Sequence, residues 1–355
     1  MNTPLKIVHC TSFSDFKKGE VFYSNDRKLT HGLIQNGHMV YQFSFRDLAK
    51  TQRKFGLKKI GIDKMNHDLI QTCLNIEPDI LLLGKAETVT LKTLEKIKKN
   101  HPNIKIAQWF VDHLERENDI FFDRFRYIDY FFQSSDFNFA TLHAQYKNTT
   151  FSYLPYTTDE LFEKKLMLEK EYDVIYIARD HKEDIRYKFA LELKQFCDKE
   201  NINLKMYGSL SNPLIFGQAF YNAIGKAKIA INFNRTDFLD KVNPNVYLAS
   251  SDRMNHFLGT GTCTFSPHVQ GFDTLYKDNY DLIYYDNIQD CFQKILALLK
   301  NGDYAKIGNQ GQQTAKKLAN AKRVTQYMIE LIMQEPFSDD YEWKDFILGE
   351  KILVK

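Results

Sequence analysis

With 355 residues the chain is long enough for two ordinary domains, each with its own core. Hydrophobic residues make up 43% and charged residues 26%, the balance of a soluble globular protein, and a net charge of +3 is too small to imply nucleic acid. Five scattered cysteines, an odd number with no CxxC pair, argue against a disulfide framework and fit a reducing compartment. The N-terminus, MNTPLKIVHC, runs straight into a strand pattern with no signal-peptide apolar region, and no run approaches ~18 consecutive apolar residues. The reading is therefore a cytoplasmic protein, with a peripheral contact at the inner membrane surface left open. The 28 Phe and 20 Tyr read first as core and rim packing rather than as a carbohydrate-stacking surface.

Short apolar runs alternate with amphipathic stretches along the chain. The first half offers KIVHC (6–10), MVYQFS (39–44), DILLLG (79–84), KIAQWFVD (105–112) and IDYFFQSS (128–135). The second offers DVIYIAR (173–179), NLKMYGS (203–209), AKIAINFN (227–234), TCTFS (262–266) and LIYYDN (282–287). Between them lie helical patterns such as Leu91 to Asn100 and Ile185 to Glu200. Strands that alternate with helices predict parallel sheets covered on both faces. The series restarts near residue 173, after Leu154-Pro155 and the charged segment Glu163 to Glu171. The fold class expected is α/β, two doubly wound Rossmann-like domains facing a cleft: residues 1–160 and 161–335. A long helical stretch, Tyr304 to Met333, precedes a tail, 336–355, expected to be a helix packing back on the first domain.

The richest stretch is Ser250 to Asn287. Ser250, Ser251 and Asp252 offer N-caps, and Arg253 and His256 fall on one face of the first helical turn. Gly259 and Gly261 are expected to stop that helix before TCTFS. A cation, a hydrogen-bonding ring and free backbone amides at a helix start suit an anion such as a phosphate. The plainer alternatives are a surface ion pair for Arg253 and core packing for His256. Arg179, Lys182 and Arg186 surround the end of another strand, where a diphosphate would lie; Tyr207, Gly208 and Ser209 could floor a base. Gly271, Phe272 and Asp273 offer amides and a carboxylate to sugar or phosphate oxygens. In the first half, Asp112 and His113 end a strand, with Glu115 close by; either could deprotonate an acceptor hydroxyl. The loop Lys17-Lys18-Gly19-Glu20 is the other acceptor-side candidate. No GxGxxG fingerprint, P-loop, HExxH or GxSxG is present, and His9, Cys10, His31 and His38 lack a metal-ligand spacing, so no metal is expected.

The segment Arg253, His256, Gly259, Gly261, Thr262–Ser266, Gly271 with Asp273, and Tyr284-Tyr285-Asp286 resembles a GT-B glycosyltransferase. More narrowly it is similar to the bacterial spore-maturation (CgeB-like) group, and DVIYIAR followed by Arg186, MYGS, INFN, His31-Gly32-Leu33, Gly37-His38 and WFVDH extend the match. The resemblance implies a second domain that binds a nucleotide-sugar donor without a metal or other cofactor. It implies a first domain that binds a glycan or lipid-linked acceptor, in surface polysaccharide synthesis. Arg179, Lys182, Arg186, Tyr207, Gly208, Arg253, His256, Gly271, Phe272 and Asp273 would then be donor-binding, and Asp112 and His113 catalytic. In one departure, His256 stands where the family carries a Glu that holds the ribose; in another, Leu248 stands where the first acid of the paired-acid motif would sit. A nonhydrolysing nucleotide-sugar epimerase, a phage-type DNA-base glucosyltransferase and a non-catalytic GT-B subunit stay open as alternatives.

Overall fold

The computed structural model describes residues 3–112, 114, 117–135, 139–233 and 248–349. The chain divides into two compact units, 1–19 with 24–155 and 321–355, and 20–23 with 156–320. The first unit thus takes back the last helix and the tail. The expected boundaries at 160 and 335 fall instead at Pro155 and at Asn320.

The first unit holds a seven-stranded sheet. Its strands are β1 (Lys6–Thr11), β2 (Met39–Ser44), β3 (Ile80–Leu83), β4 (Lys105–Phe110), β5 (Tyr130–Gln133), β6 (Thr150–Tyr153) and β12 (Ile347–Leu348). Their order is β12-β6-β5-β4-β3-β1-β2, parallel throughout except for β12, which runs antiparallel to β6. β3 is ILLL, buried on both faces, as a central parallel strand must be. Leu94 and Ile97 of α4 (Leu91–Asn100) join the core over one face, and Thr90 caps that helix through the Thr93 amide at 3.2 Å. Two further helices, α2 (Phe45–Thr51) and α3 (Lys58–Ile76), follow β2. Elsewhere in the unit α1 (Asn25–Gln35) packs on α12 (Ala321–Met333). A Cβ at Gly32 would lie 2.2 Å from the carbonyl oxygen of Ala321, so only glycine permits this approach.

Two expectations fail here. The stretch Tyr304 to Met333 is two helices, α11 (Tyr304–Leu318) and α12, broken where the Ala319 carbonyl accepts the Thr158 amide at 2.8 Å. As far as Gly349, the last described residue, the tail after Pro336 is not a helix but a series of turns leading into β12. Its apolar groups alternate rather than follow a helical period. Tyr341 and Trp343 are buried against Tyr327, and Arg323 binds Asp339 and Glu342 at 2.5 and 2.7 Å.

The second unit has a five-stranded parallel sheet: β7 (Tyr172–Ile177), β8 (Leu204–Tyr207), β9 (Ala227–Ile231), β10 (Cys263–Pro267) and β11 (Ile283–Tyr285). The order β11-β10-β9-β7-β8 reverses direction between β7 and β9, the position where doubly wound sheets open a crevice at their carboxyl ends. Its helices are α7 (Ile185–Lys199), α8 (Gly217–Gly225), α9 (Asp252–Thr260), α10 (Ile288–Asn301) and α11. Asp184, Ser251 and Asn287 cap α7, α9 and α10 through backbone amides. All ten strands read from the sequence are present; β6 and β12 are additional. All five cysteines are buried thiols.

Candidate functional site

In the second unit some of the predicted residues, Arg253 and Arg186 among them, lie near the reversal between β7 and β9. Asn232 directly follows β9, and its Oδ1 accepts the Ser251 hydroxyl at 2.8 Å. That bond ties the start of α9 to the carboxyl edge of the sheet. Ser251 in turn accepts the Met254 amide at 3.3 Å. Arg253 therefore projects from the first turn of α9 at a strand end. Its side chain is half-buried, yet its Nη1 is shut off from solvent with no hydrogen-bond partner among the described residues. Burial pulls its pKa below the ordinary arginine value; the neighbouring Tyr176, Tyr285 and Asp252 act in the opposite direction. A guanidinium at a positive helix end with an unused N–H is electrostatically under-compensated, and an anion would correct both.

Tyr176, near the end of β7, shares this place. Its hydroxyl is buried without a hydrogen-bond partner among the described residues, and burial raises its pKa while Arg253 and Arg186 lower it. The Tyr285 hydroxyl donates to the Asn232 carbonyl at 2.6 Å. Tyr285 entered the sequence reading only as part of the Tyr-Tyr-Asp motif and Tyr176 was not singled out, because a Tyr inside an apolar strand reads as core. Only the strand order shows which strands end together.

The loop after β7 meets the loop after β8. Ala178 donates its amide to Tyr207 at 3.1 Å, and the Ser209 hydroxyl binds Asp180. Gly208 has φ +70°, and a Cβ there would meet the Ala178 carbonyl oxygen at 2.7 Å, so the crossing requires glycine. Arg186, on the first turn of α7, donates to the Arg179 carbonyl at 3.3 Å. Arg179, Arg186, Tyr207 and Gly208 are thus one cluster, and Arg186 links it to Tyr176 and so to Arg253. Arg179 and Lys182 are exposed. The amide of Leu248, just before α9, donates to Gln270 at 3.0 Å, which brings the Gly271 turn beside the approach to α9. In that turn Phe272 is buried and stacked on Tyr276, a packing residue, while Asp273 is exposed.

His256 faces the interior. It is 2% exposed, and its Nδ1 lies 2.7 Å from Glu163 Oε1 and 3.2 Å from the Tyr221 hydroxyl. Its Nε2 faces Asp252 at 3.4 Å, and Tyr23, Phe220 and Tyr221 surround the ring edge-on. Gly259 does not stop α9; it lies inside the helix, where a Cβ would come 2.7 Å from Glu163 Cβ. The αL residue that ends the helix is Gly261, φ +77°. Gly259 and His256 together accommodate one buried carboxylate, Glu163.

In the first unit Asp112 follows β4, and its carboxylate accepts from Lys85 Nζ at 2.7 Å. Lys85 also meets Glu117 at 3.4 Å; burial opposes its charge, but these hydrogen bonds leave its pKa raised. His113 and Glu115 lie outside the described residues. Among the described residues no group of His, Cys, Asp and Glu could hold a metal ion, and no helix is long and apolar enough to cross a membrane.

Residues 186–330 match the family described as glycosyl transferase-like. No curated protein matches the sequence. Among solved structures, HepE of Anabaena, in complex with UDP and glucose, superposes with a TM-score of 0.58 at 11% identity, over 93% of this chain and 99% of that one. A sucrose-phosphate synthase of Thermosynechococcus elongatus gives 0.60 at 10% identity, over 93% and 98%. A glycosyltransferase of Rickettsia africae gives 0.59 at 12%, over 94% and 99%. The two α/β units thus have the GT-B fold, and residues 186–330, most of the second unit and of the helix that follows it, resemble the glycosyl transferase-like family.

Proposed function

We propose that the enzyme moves a sugar from a nucleotide-sugar donor to a glycan or lipid-linked acceptor, in bacterial surface polysaccharide synthesis, on the cytoplasmic side of the membrane. The CgeB-like group is the subfamily we assign on the sequence motif around Arg253. The observation that carries the reading is the pair of buried, unpartnered polar atoms, Arg253 Nη1 and the Tyr176 hydroxyl, at the strand reversal of the second unit. A diphosphate there would accept from Arg253, from Tyr176 and from the α9 amides, with Arg179 and Arg186 beside it. These cations would stabilise the charge that develops on the leaving diphosphate, without a metal cofactor. HepE was solved with UDP and with UDP-glucose, which supports a ligand of this chemistry. In the first unit, Asp112 is engaged by Lys85 and serves to orient an acceptor hydroxyl rather than to take its proton.

Thermal unfolding with UDP, GDP, UDP-glucose and GDP-mannose tests this. The matching nucleotide should stabilise the protein by about 2.7 kcal/mol at a hundred times its Kd. Arg253→Ala should weaken that binding by about 1.5–3 kcal/mol, roughly 10- to 150-fold, without lowering the melting temperature of the free protein. Equal affinity in the variant, or no response to any nucleotide, would reject the assignment.

A further inference from the structure

The helices α2 and α3 are joined by a short turn. A Cβ at Gly61 would lie 2.0 Å from the Ala49 carbonyl oxygen, so the two helices touch backbone to backbone. At the tip, the Leu57 amide donates to Lys54 at 2.9 Å, and Phe55 (φ 51°) and Gly56 (φ 72°) both take the left-handed conformation. That conformation is unfavourable for a bulky non-glycine residue. Phe55 is nevertheless 95% exposed and Leu57 55% exposed, so neither contributes to the core.

Beside this tip is a pocket of about 490 Å³. It is lined from the carboxyl ends of β1, β2 and β3, the strands at which the first sheet reverses direction. Lys17, Arg46, Lys50, Arg53 and Lys58 face it, against the two acids Asp47 and Glu87. Both acids are engaged: Glu87 by Arg46 at 2.6 Å, and Asp47 by the Ser44 hydroxyl at 2.5 Å and the Asp15 amide at 2.9 Å. Among the described residues no carboxylate is paired with Lys50, Arg53 or Lys58; Lys50 lies 5.2 Å over the ring of Phe16, itself 50% exposed. Lys54 and Lys59 are exposed on either side of the tip. On a chain with a net charge of only +3, this is a local concentration of cations around projecting apolar groups.

We propose that this face docks on an anionic membrane surface, Phe55 and Leu57 entering the interface while the basic pocket takes a headgroup phosphate. Apolar tips ringed by Lys and Arg have the chemistry of interfacial anchors, in which buried apolar area and attraction to anionic lipid act together. The inference deepens the lipid-linked acceptor reading above, and vesicle binding tests it without reference to sugar transfer. The full chain should sediment with phosphatidylcholine–phosphatidylglycerol vesicles but not with phosphatidylcholine alone, and high salt should release it. Each lysine near such a surface is worth roughly fivefold in affinity, so K54E/K58E should bind at least ~25-fold more weakly. F55S, with its charges intact, should lose about tenfold. Both variants should keep the wild-type melting temperature and nucleotide response. Wild type that ignores anionic vesicles, or F55S that binds like wild type, overturns the proposal. So does full competition by free inorganic phosphate, which would assign the pocket to a soluble anion. So does a dimer on gel filtration abolished by F55S, which would assign the face to a second copy. A missing nucleotide response alone would sink the donor reading and leave this one standing.

Discussion

Arg253 and His256 lie three residues apart on α9 and meet opposite surroundings. Arg253 reaches a strand end with an unused N–H, whereas His256 turns inward onto Glu163. The family-like substitution His256→Glu would therefore bury a second carboxylate against the first. We expect it to destabilise the second unit by about 3–5 kcal/mol in urea unfolding, because two buried acids face each other without a cation between them. Molecules that remain folded should keep their nucleotide preference. A stable variant with altered preference would return His256 to the donor site. His9 offers a second test. It is buried in the first unit between Thr30 and Trp109, whose indole N–H donates to its Nε2 at 3.1 Å. Burial lowers its pKa from 6.5 to about 3. The unfolded chain then binds a proton that the folded chain refuses, so stability is complete above the unfolded value of 6.5 and falls as pH drops toward 3. The expected slope is roughly 1.4 kcal/mol per pH unit in that window, and His9→Gln should flatten it. Urea midpoints between neutral and mildly acidic pH, measured for both proteins, check the difference in slope.

At the scale of elements, close approach decides what pattern reading leaves open. Gly32 and Gly259 sit inside helices, where glycine is normally unfavourable, and both make room for a neighbour. Gly32→Ala would drive a methyl group into the Ala321 carbonyl and the Thr325 hydroxyl, 2.2 and 2.7 Å away. Prying α1 from α12 should cost about 1–3 kcal/mol or more, measured as a lower urea midpoint. An unchanged midpoint would mean that the helices separate freely. The same scale explains the elements that sequence reading missed. β6, TFSY, alternates hydroxyl and aromatic residues without an apolar run, and β12 is two residues, too short for any period to register. β12 exists because β6 presents an open edge and the chain has returned to it. The tail was expected to be helical because of its apolar content, but Tyr341 and Trp343 alternate and anchor turns instead.

At the scale of the whole molecule, the chain leaves the first unit at Pro155 and rejoins it at Ala321. The tail is thus structurally part of a unit whose other residues lie far away in sequence. Trp343 is fully buried, stands 5.6 Å from Tyr327 and lies 5.1 Å from the Arg323 guanidinium. Trp343→Ala should cost about 3–5 kcal/mol. The groups proposed to bind the donor are all in the second unit, so nucleotide affinity should not change in the molecules that stay folded. Calorimetry of unfolding and of nucleotide titration would separate the two quantities. A coupled loss of both would show that the tail also shapes the donor site.

The fold was legible because ten strands carry short, largely apolar runs, such as ILLL in β3, and the amphipathic stretches between them leave parallel sheets as the economical arrangement. The groups proposed to bind the donor were legible in part as local features: a helix start with Arg253, and a cationic strand end with Arg179 and Arg186, follow from composition and spacing. The direction of His256 was not, since a histidine three residues from an arginine points to a ligand or to a core according to what packs beside it. Here that is Glu163, nearly a hundred positions away. Nor could the sequence show that Tyr176 and Arg253 meet, that Asp112 is held by Lys85, or that the basic loops after β1 and β2 share one pocket with Phe55 beside it. Sequence by itself determined the elements and their class, because hydrophobic periodicity and capping act within a few residues. Tertiary structure alone decided which strand ends adjoin and which polar atoms are left without partners, because both depend on strand order and on contacts between distant residues.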